Sequence, residues 1–369
     1  MKHIHQIAAV AVAGGVAVAS LGLPSASAAS HLAAAKRPAK TTNSAAAAAG
    51  YLARHLVGKH HDHFTGTFPS GKKTITYVNY GETADAILSM DAAGVAQTAA
   101  TRATKYLEAN VKKYAGKSAG TFAPGPIGKL MLVAEAQHAN LHSFGGLDLV
   151  AAVRRTEGAR GAAAGEYQQN PAGTPAKFDY TSTTSQALAM LGLADTAASS
   201  GQPDAAAVSF LVAQQCGNGG FPTEILASPK TACSTQPKDV DSTGYAVQAL
   251  LAAGAHAAAG KAIGWLMGAE HKSGAFGQPA NANSTALAIQ ALVEAHHNVA
   301  KSESWLASRE VGCSGAAAHR GAVALQKKYD GSALLATSQA GAALAGRPLA
   351  WIDKFSATGR SPVLSCHKK

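Results

Sequence analysis

Two carboxylates, Asp239 and Asp241, stand two residues apart at the head of an apolar helical pattern, in the run DVDSTGYAVQAL (239–250). Held protonated in a dry site, such an acid delivers a proton to a substrate. At a solvated helix start it instead accepts from the orphan N–H groups of the first turn. Three further segments repeat the pattern: NYGETADAILSM (79–90), DYTSTTSQALAM (179–190) and NANSTALAIQAL (281–292). In register, Asn79, Asp179, Asp239 and Asn281 share one column, and Thr83, Thr183, Thr243 and Thr285 share another. Asn283 occupies the column of Asp241. An amide caps a helix but cannot give up a proton, so the repeat favours capping for both aspartates.

Other reactive side chains fall into less defined patterns. His60, His61, Asp62 and His63 are consecutive after Leu56. Their spacing matches no defined metal site, and a solvated loop with no metal is the reading taken. His296 and His297 suit a helix end, where imidazolium complements the dipole. The four cysteines, Cys216, Cys233, Cys313 and Cys366, include no C-x-x-C pair, which removes zinc-ribbon and thioredoxin-type readings. Four cysteines allow three connectivities. Cys216–Cys233 and Cys313–Cys366 are preferred because each pair flanks one loop or one end.

The repeat itself dictates the elements that position these residues. A fifth copy, TSQAGAAL (337–344), keeps Thr337, and PIGKLMLVAEA (126–136) takes the place of a sixth. A second pattern follows the first: FLVAQQCGNGGF (210–221), WLMGAEHKSGAF (265–276) and WLASREVGCSGA (305–316). Each unit predicts a helix opened by polar caps, then a second helix closed by a glycine turn. The first helices are apolar nearly all round and belong inside. The second, such as Lys261 to His271, mix charge with one apolar face and belong outside. Stacked pairs of this kind close into a ring, with inner helices starting near Thr83, Thr183, Thr243, Thr285 and Thr337. The predicted fold is all-α, with about six helical hairpins in an inner and an outer layer.

D-x-D-S-T helices alternating with Q-Q-x-x-x-G-G-F turns resemble the prenyltransferase/squalene-cyclase repeat over residues 75–350. The resemblance implies the α/α toroid of terpene cyclases, protein prenyltransferase β-subunits, complement-type thioester domains and transcobalamin-like carriers, whose chemistries differ. In class II cyclases a D-x-D-D motif protonates an alkene; Asp241 matches its central acid, and Ser242 replaces the last one. Prenyltransferases place an acid two residues before a zinc-binding cysteine, where this chain has Gln214, Thr231, Val311 and Leu364. Cys216-Gly217-Asn218-Gly219 departs from the thioester sequence Cys-Gly-Glu-Gln. A transcobalamin-like ring implies a small ligand, a corrinoid being one version. It would lie on a rim edged by Asn79, Tyr80, Asp179, Tyr180, Asp239, Asp241, Asn281 and Asn283. The expected function is therefore non-catalytic binding of a small molecule or a surface partner, with no cofactor. The alternative is a cyclase-like or glycan-active enzyme using Asp239 and Asp241, the latter chemistry needing paired carboxylates.

Residues 1–28 read as a cleavable export signal: Lys2, an apolar stretch from Ile7 to Leu23, and the small-x-small run Ala26-Ser27-Ala28. Residues 29–44 read as a flexible basic linker, 45–350 as the ring, and 351–369 as a tail tied back by a disulfide. Disulfides suit a secreted, extracytoplasmic chain. The formal charge of +11 is scattered, and no nucleic-acid motif accompanies it. Only 6% of the chain is aromatic and 38 residues are Gly, which suits closely packed helices. No later stretch is long and apolar enough to span a membrane, and a monomer is expected.

Overall fold

Ala-rich, Gly-punctuated helices can approach closely, and here they do so in two concentric layers. The computed structural model describes residues 39–71, 73–117, 121–159, 161–169, 181–195, 202–225, 233, 237–354 and 356–366. The signal at 1–28, most of the linker, and Asp179 and Tyr180 lie outside the described residues. Among those described there are thirteen α-helices. They are α1 (Ser44–His55), α2 (Tyr80–Ala92), α3 (Gln97–Ala109), the short α4 (Val111–Tyr114), α5 (Pro124–Ala136), α6 (Leu149–Arg154) and α7 (Thr183–Asp195). Then follow α8 (Ala205–Gln214), α9 (Val240–Ala252), α10 (His256–Ala269), α11 (Ala282–Glu294), α12 (Ala300–Ala307) and α13 (Ala333–Leu344). Helices α2, α5, α7, α9, α11 and α13 each pack on the next, and α13 returns to α2. Helices α1, α3, α6, α8, α10 and α12 lie outside them. The inner layer is closed, as the repeat predicts.

Backbone proximity explains the glycines of the inner layer. A Cβ on Gly128 of α5 would stand 2.2 Å from the carbonyl oxygen of Leu188 on α7. At the closure, a Cβ on Gly341 of α13 would stand 2.6 Å from Oγ of Ser89 on α2, whose hydroxyl donates to the Ser338 carbonyl. The outer layer closes too. Gly321, at φ +87°, sits against α1, where a Cβ would stand 2.5 Å from the Ala47 carbonyl oxygen.

A buried threonine joins each hairpin to the next. Oγ1 of Thr243 donates to the Asp239 carbonyl at 2.7 Å and accepts from the Phe221 N–H at 3.0 Å. Thr285 does the same with Asn281 and Phe276, and Thr83 with Asn79 and Phe64. Thr337 takes the Val323 N–H. Two positions depart from the repeat register. Thr183 opens α7 but does not form the bridge; one turn on, Oε1 of Gln186 accepts the Tyr167 N–H at 2.7 Å. Ala316 aligns in sequence with Phe221 and Phe276, yet Val323 fills that role, because the loop around Cys313 is longer.

The ends also differ from expectation. Lys40–Thr41 (β1) pairs in parallel with Val363–Leu364 (β4), and Asn43 caps α1. The last residues of the expected flexible linker are therefore held, because the returning tail offers a strand edge and Arg54 grips the Pro362 carbonyl. Disulfides join Cys216 to Cys233 and Cys313 to Cys366. Between α1 and α2 an antiparallel hairpin, β2 (Thr65–Ser70) and β3 (Lys73–Val78), projects from the all-α body. The alternation Thr74-Ile75-Thr76-Tyr77-Val78 after Gly71 is its signal.

If backbone contact sets the inner spacing, Gly128→Ala costs about 1–3 kcal/mol by overpacking. Gly260→Ala, on the outer face of α10 with nothing within 4 Å, instead gains roughly 0.5–1 kcal/mol from helix propensity. Thermal denaturation of both variants checks this, and equal effects would contradict it.

Candidate functional site

The inner helices start at one face, which forms a mouth. Three of the expected rim residues cap helices there. Asn79 Oδ1 accepts from the Glu82 N–H at 3.1 Å, and Asn281 Oδ1 from the Ser284 N–H at 2.9 Å. Asp239 Oδ2 takes both the N–H of Ser242, at 2.8 Å, and its hydroxyl, at 2.9 Å. Asp241 does not cap, contrary to the expectation from the repeat. It lies inside the first turn of α9, where Asp239 already fills the capping position. Its Oδ1 is buried and has no hydrogen-bond partner. Asn283, one helix on, presents a buried, unpartnered Oδ1 in the same way. Burial pushes the Asp241 carboxyl up to about 6; the Ser284 hydroxyl opposes this and the Asp239 charge adds to it.

Deeper in the ring, Lys129 of α5 meets Asp85 of α2 at 2.7 Å. Burial works against the Lys129 charge, but Asp85, with Tyr245 and Tyr114 beside it, outweighs that and holds the ammonium above its ordinary value. Burial raises Tyr245, which feels Lys129, Asp85 and Asp241 together. Glu82, beside this group, is pushed up to about 7 by burial and by Asp85. Tyr80, expected on the rim, packs against the rings of Tyr106 and Tyr114. The Asp85–Lys129 pair is absent from the sequence expectations, since nothing in either local run singles it out.

The axis itself is narrow. Asp85, Ser89, Tyr245, Leu287, Gln290 and Leu349 are among the residues around a space of about 20 Å³. Leu349 lies in the segment after α13, just before the tail, and this segment crosses the far end of the ring. The Leu349 N–H donates to Gln248 Oε1 at 2.9 Å, and Gln290 donates to the Arg347 carbonyl at 3.1 Å. Carboxylates gather at that end. Burial pushes Asp91 and Asp195 up to about 7 and Glu294 up to about 8. The negative ends of the inner-helix dipoles act in the same direction.

Elsewhere, His63 bonds Asp62 at 2.7 Å and stacks on Tyr106, while His61 turns to the Leu56 carbonyl. Among the described residues no group of three or more His, Cys, Asp or Glu is placed to hold a metal ion. None of the described helices is long and apolar enough to cross a membrane. The two disulfides are compatible with an extracellular protein.

Two closed layers of helices, with inner N-termini at one mouth, decide the architecture. The fold is an α/α toroid. Among solved structures the toroid is similar to the type II terpene cyclase MstE from Scytonema, at 14% identity and TM-score 0.55, over 82% of this chain and 96% of that one. It is equally similar to an unsaturated glucuronyl hydrolase from a Bacillus species, at 12% identity and TM-score 0.55, over 82% and 95%. Against an ent-copalyl diphosphate synthase from Streptomyces platensis, at 18% identity and TM-score 0.49, the toroid covers 74% of its own chain and spans about half of that one, 51%. No family model matches the chain, and no curated protein does either. At these identities the likeness is one of fold.

The raised carboxyls have a consequence for stability. Each holds its proton more tightly folded than unfolded, so the folded chain carries more protons between about pH 4 and pH 8. Stability then falls as pH rises through that range. The melting temperature is expected to be several degrees higher at about pH 5.5 than at about pH 8.5, and Glu294→Gln should flatten the difference. A melting temperature that climbs with pH over that span would contradict the assignment.

Proposed function

We propose that the toroid is an extracytoplasmic enzyme acting on a glycan at its mouth, with Asp241 as the proton donor. The observation that carries this is the half-buried Asp241 carboxyl, whose Oδ1 is buried and unpartnered and which is not used as a cap. Buried oxygens are ordinarily satisfied within the fold, so an open one at the mouth leaves room for a partner from outside. Asp241 resembles a carboxyl whose surroundings keep it protonated near neutrality, as general acids are kept. Asp239, close enough to raise it, supplies the second carboxylate that glycoside cleavage requires. In such a step Asp241 protonates the leaving oxygen as the glycosidic bond breaks, and water adds to the sugar carbon left behind, giving its proton to Asp239. Asn283 and Tyr245 offer polar contacts beside the acid.

The width of the axis supports a substrate that stays at the mouth. Small-ligand sites occupy roughly 300–1,000 Å³, against about 20 Å³ on the axis. A polymer lying across the face would not have to enter that space. The rim residues Asn79, Tyr80, Asp179, Tyr180, Asp239, Asp241, Asn281 and Asn283 would edge the substrate, with Asn79, Asp239 and Asn281 also holding their helices.

Release of reducing ends from a panel of acidic and neutral polysaccharides tests this. Asp241→Asn is expected to lower the rate about 100-fold or more, with melting unchanged or raised, since a buried unpartnered carboxyl is removed. Turnover that survives Asp241→Asn would sink the assignment. Saturable binding with no turnover by the unaltered chain would favour the non-catalytic reading.

A further inference from the structure

Two grooves lie side by side on the mouth face, one repeat apart, at the C-terminal ends of outer helices α10 and α12. The first, of about 460 Å³, runs between Trp265, His271, Lys238 and Gln278. The second, of about 400 Å³, runs between Trp305, Arg309, Lys327 and Pro279. Both volumes fall in the roughly 300–1,000 Å³ range of small-ligand sites. The segment Gly277–Ala280 walls both, so the grooves are continuous neighbours. Val240 lines the first groove, and its sequence neighbours are Asp239 and Asp241.

The two grooves share one composition. Each has an indole along one wall and amide or cationic groups around it. Trp265 lies so close over Gly220 that a Cβ there would stand 2.7 Å from the ring. The Arg309 guanidinium lies 4.9 Å from the centre of the Trp305 ring and also donates to the Gln326 carbonyl. Flat, partly exposed aromatic walls with polar neighbours suit ligands that are apolar on one face and hydroxylated at the edges. Lys238, Arg309 and Lys327 outnumber the one carboxylate, Glu270, which already faces Lys301 at 3.9 Å. A repeated groove suits a repeated ligand.

We infer that these grooves are successive subsites for an anionic glycan chain, one sugar unit on each tryptophan and its acidic groups on the flanking cations. The inference takes from the proposed function only that the ligand is a glycan. It is tested on binding, so its failure and that of the Asp241 chemistry are separable.

The test titrates the full chain carrying Asp241→Asn, which should not consume its ligand, with oligogalacturonate, poly(glycerol phosphate) and neutral dextran. Titration calorimetry and tryptophan fluorescence are read together. The chain has three tryptophans; Trp351, 43% exposed beside His296 near the far end, serves as the control. Saturable binding of oligogalacturonate is expected, weakened several-fold by about 0.5 M salt. Trp305→Ala should weaken it about tenfold, Trp305→Phe should restore most of it, and Trp351→Phe should leave it unchanged. Binding of poly(glycerol phosphate), which has no sugar ring, as tightly as oligogalacturonate overturns the stacking of sugar units on the tryptophans. Equal binding of dextran overturns the anionic assignment. No saturable binding of either anionic polymer, or binding indifferent to Trp305→Ala while circular dichroism stays native, overturns the site.

Discussion

The structure depends on one small interaction made at four of the inner helices: a buried threonine hydroxyl that donates back to its own helix and accepts from the turn before it. Thr83, Thr243, Thr285 and Thr337 are each wholly buried, so an unmade bond there would cost about 1–3 kcal/mol of desolvation. Making it fixes where an outer helix hands over to the next inner one. Because the donor N–H belongs to Phe64, Phe221 or Phe276, the same bond seats a large buried ring under each helix start. Repeated around the axis, it aligns the inner N-termini on one face. Gly128 and Gly341 then let the helices approach closely enough for the circle to close.

Alignment creates two unlike ends. At the mouth, helix dipoles favour negative groups, and the caps Asn79, Asp239 and Asn281 use up the orphan donors. Asp241 does not share in that capping: its Oδ1 is left buried without a partner, and burial with only the Ser284 hydroxyl to oppose it favours a carboxyl that keeps its proton. At the far end the same dipoles oppose the charge of Asp91, Asp195 and Glu294. Those residues lie where the segment after α13 crosses, and Leu349 closes the axis. The Cys313–Cys366 disulfide ties the tail that follows to the outer layer. Asp241 and the tryptophan grooves lie at the mouth.

Much of this is legible in the sequence because repetition averages out local ambiguity. The threonine column, the three capping residues and the sixth degenerate inner helix follow from it, while both disulfides follow from the loop or end that each cysteine pair flanks. What escapes has identifiable reasons. Asp241 and Asn283 look like caps because polar residues crowd every helix start, and only geometry shows Asp239 and Asn281 taking the N–H groups. Gln186 replaces Thr183 by a slip of one helical turn, which a periodic pattern cannot detect. The Asp85–Lys129 pair joins different helices and leaves no local mark. Trp265 and Trp305 align in the sequence as outer-helix residues, yet the groove each forms needs the loop of the following hairpin.

Ring closure, cap placement and the isolation of one acid meet in the protonation state of Asp241. Carbon-13 NMR of the side-chain carboxyls, with Asp241→Asn to assign the resonance, follows that titration directly. A midpoint near 6 is expected, well above the ordinary aspartate value of about 3.9. A midpoint at or below that ordinary value would mean that Asp241 is solvated or paired, and the mouth would lose its proton donor.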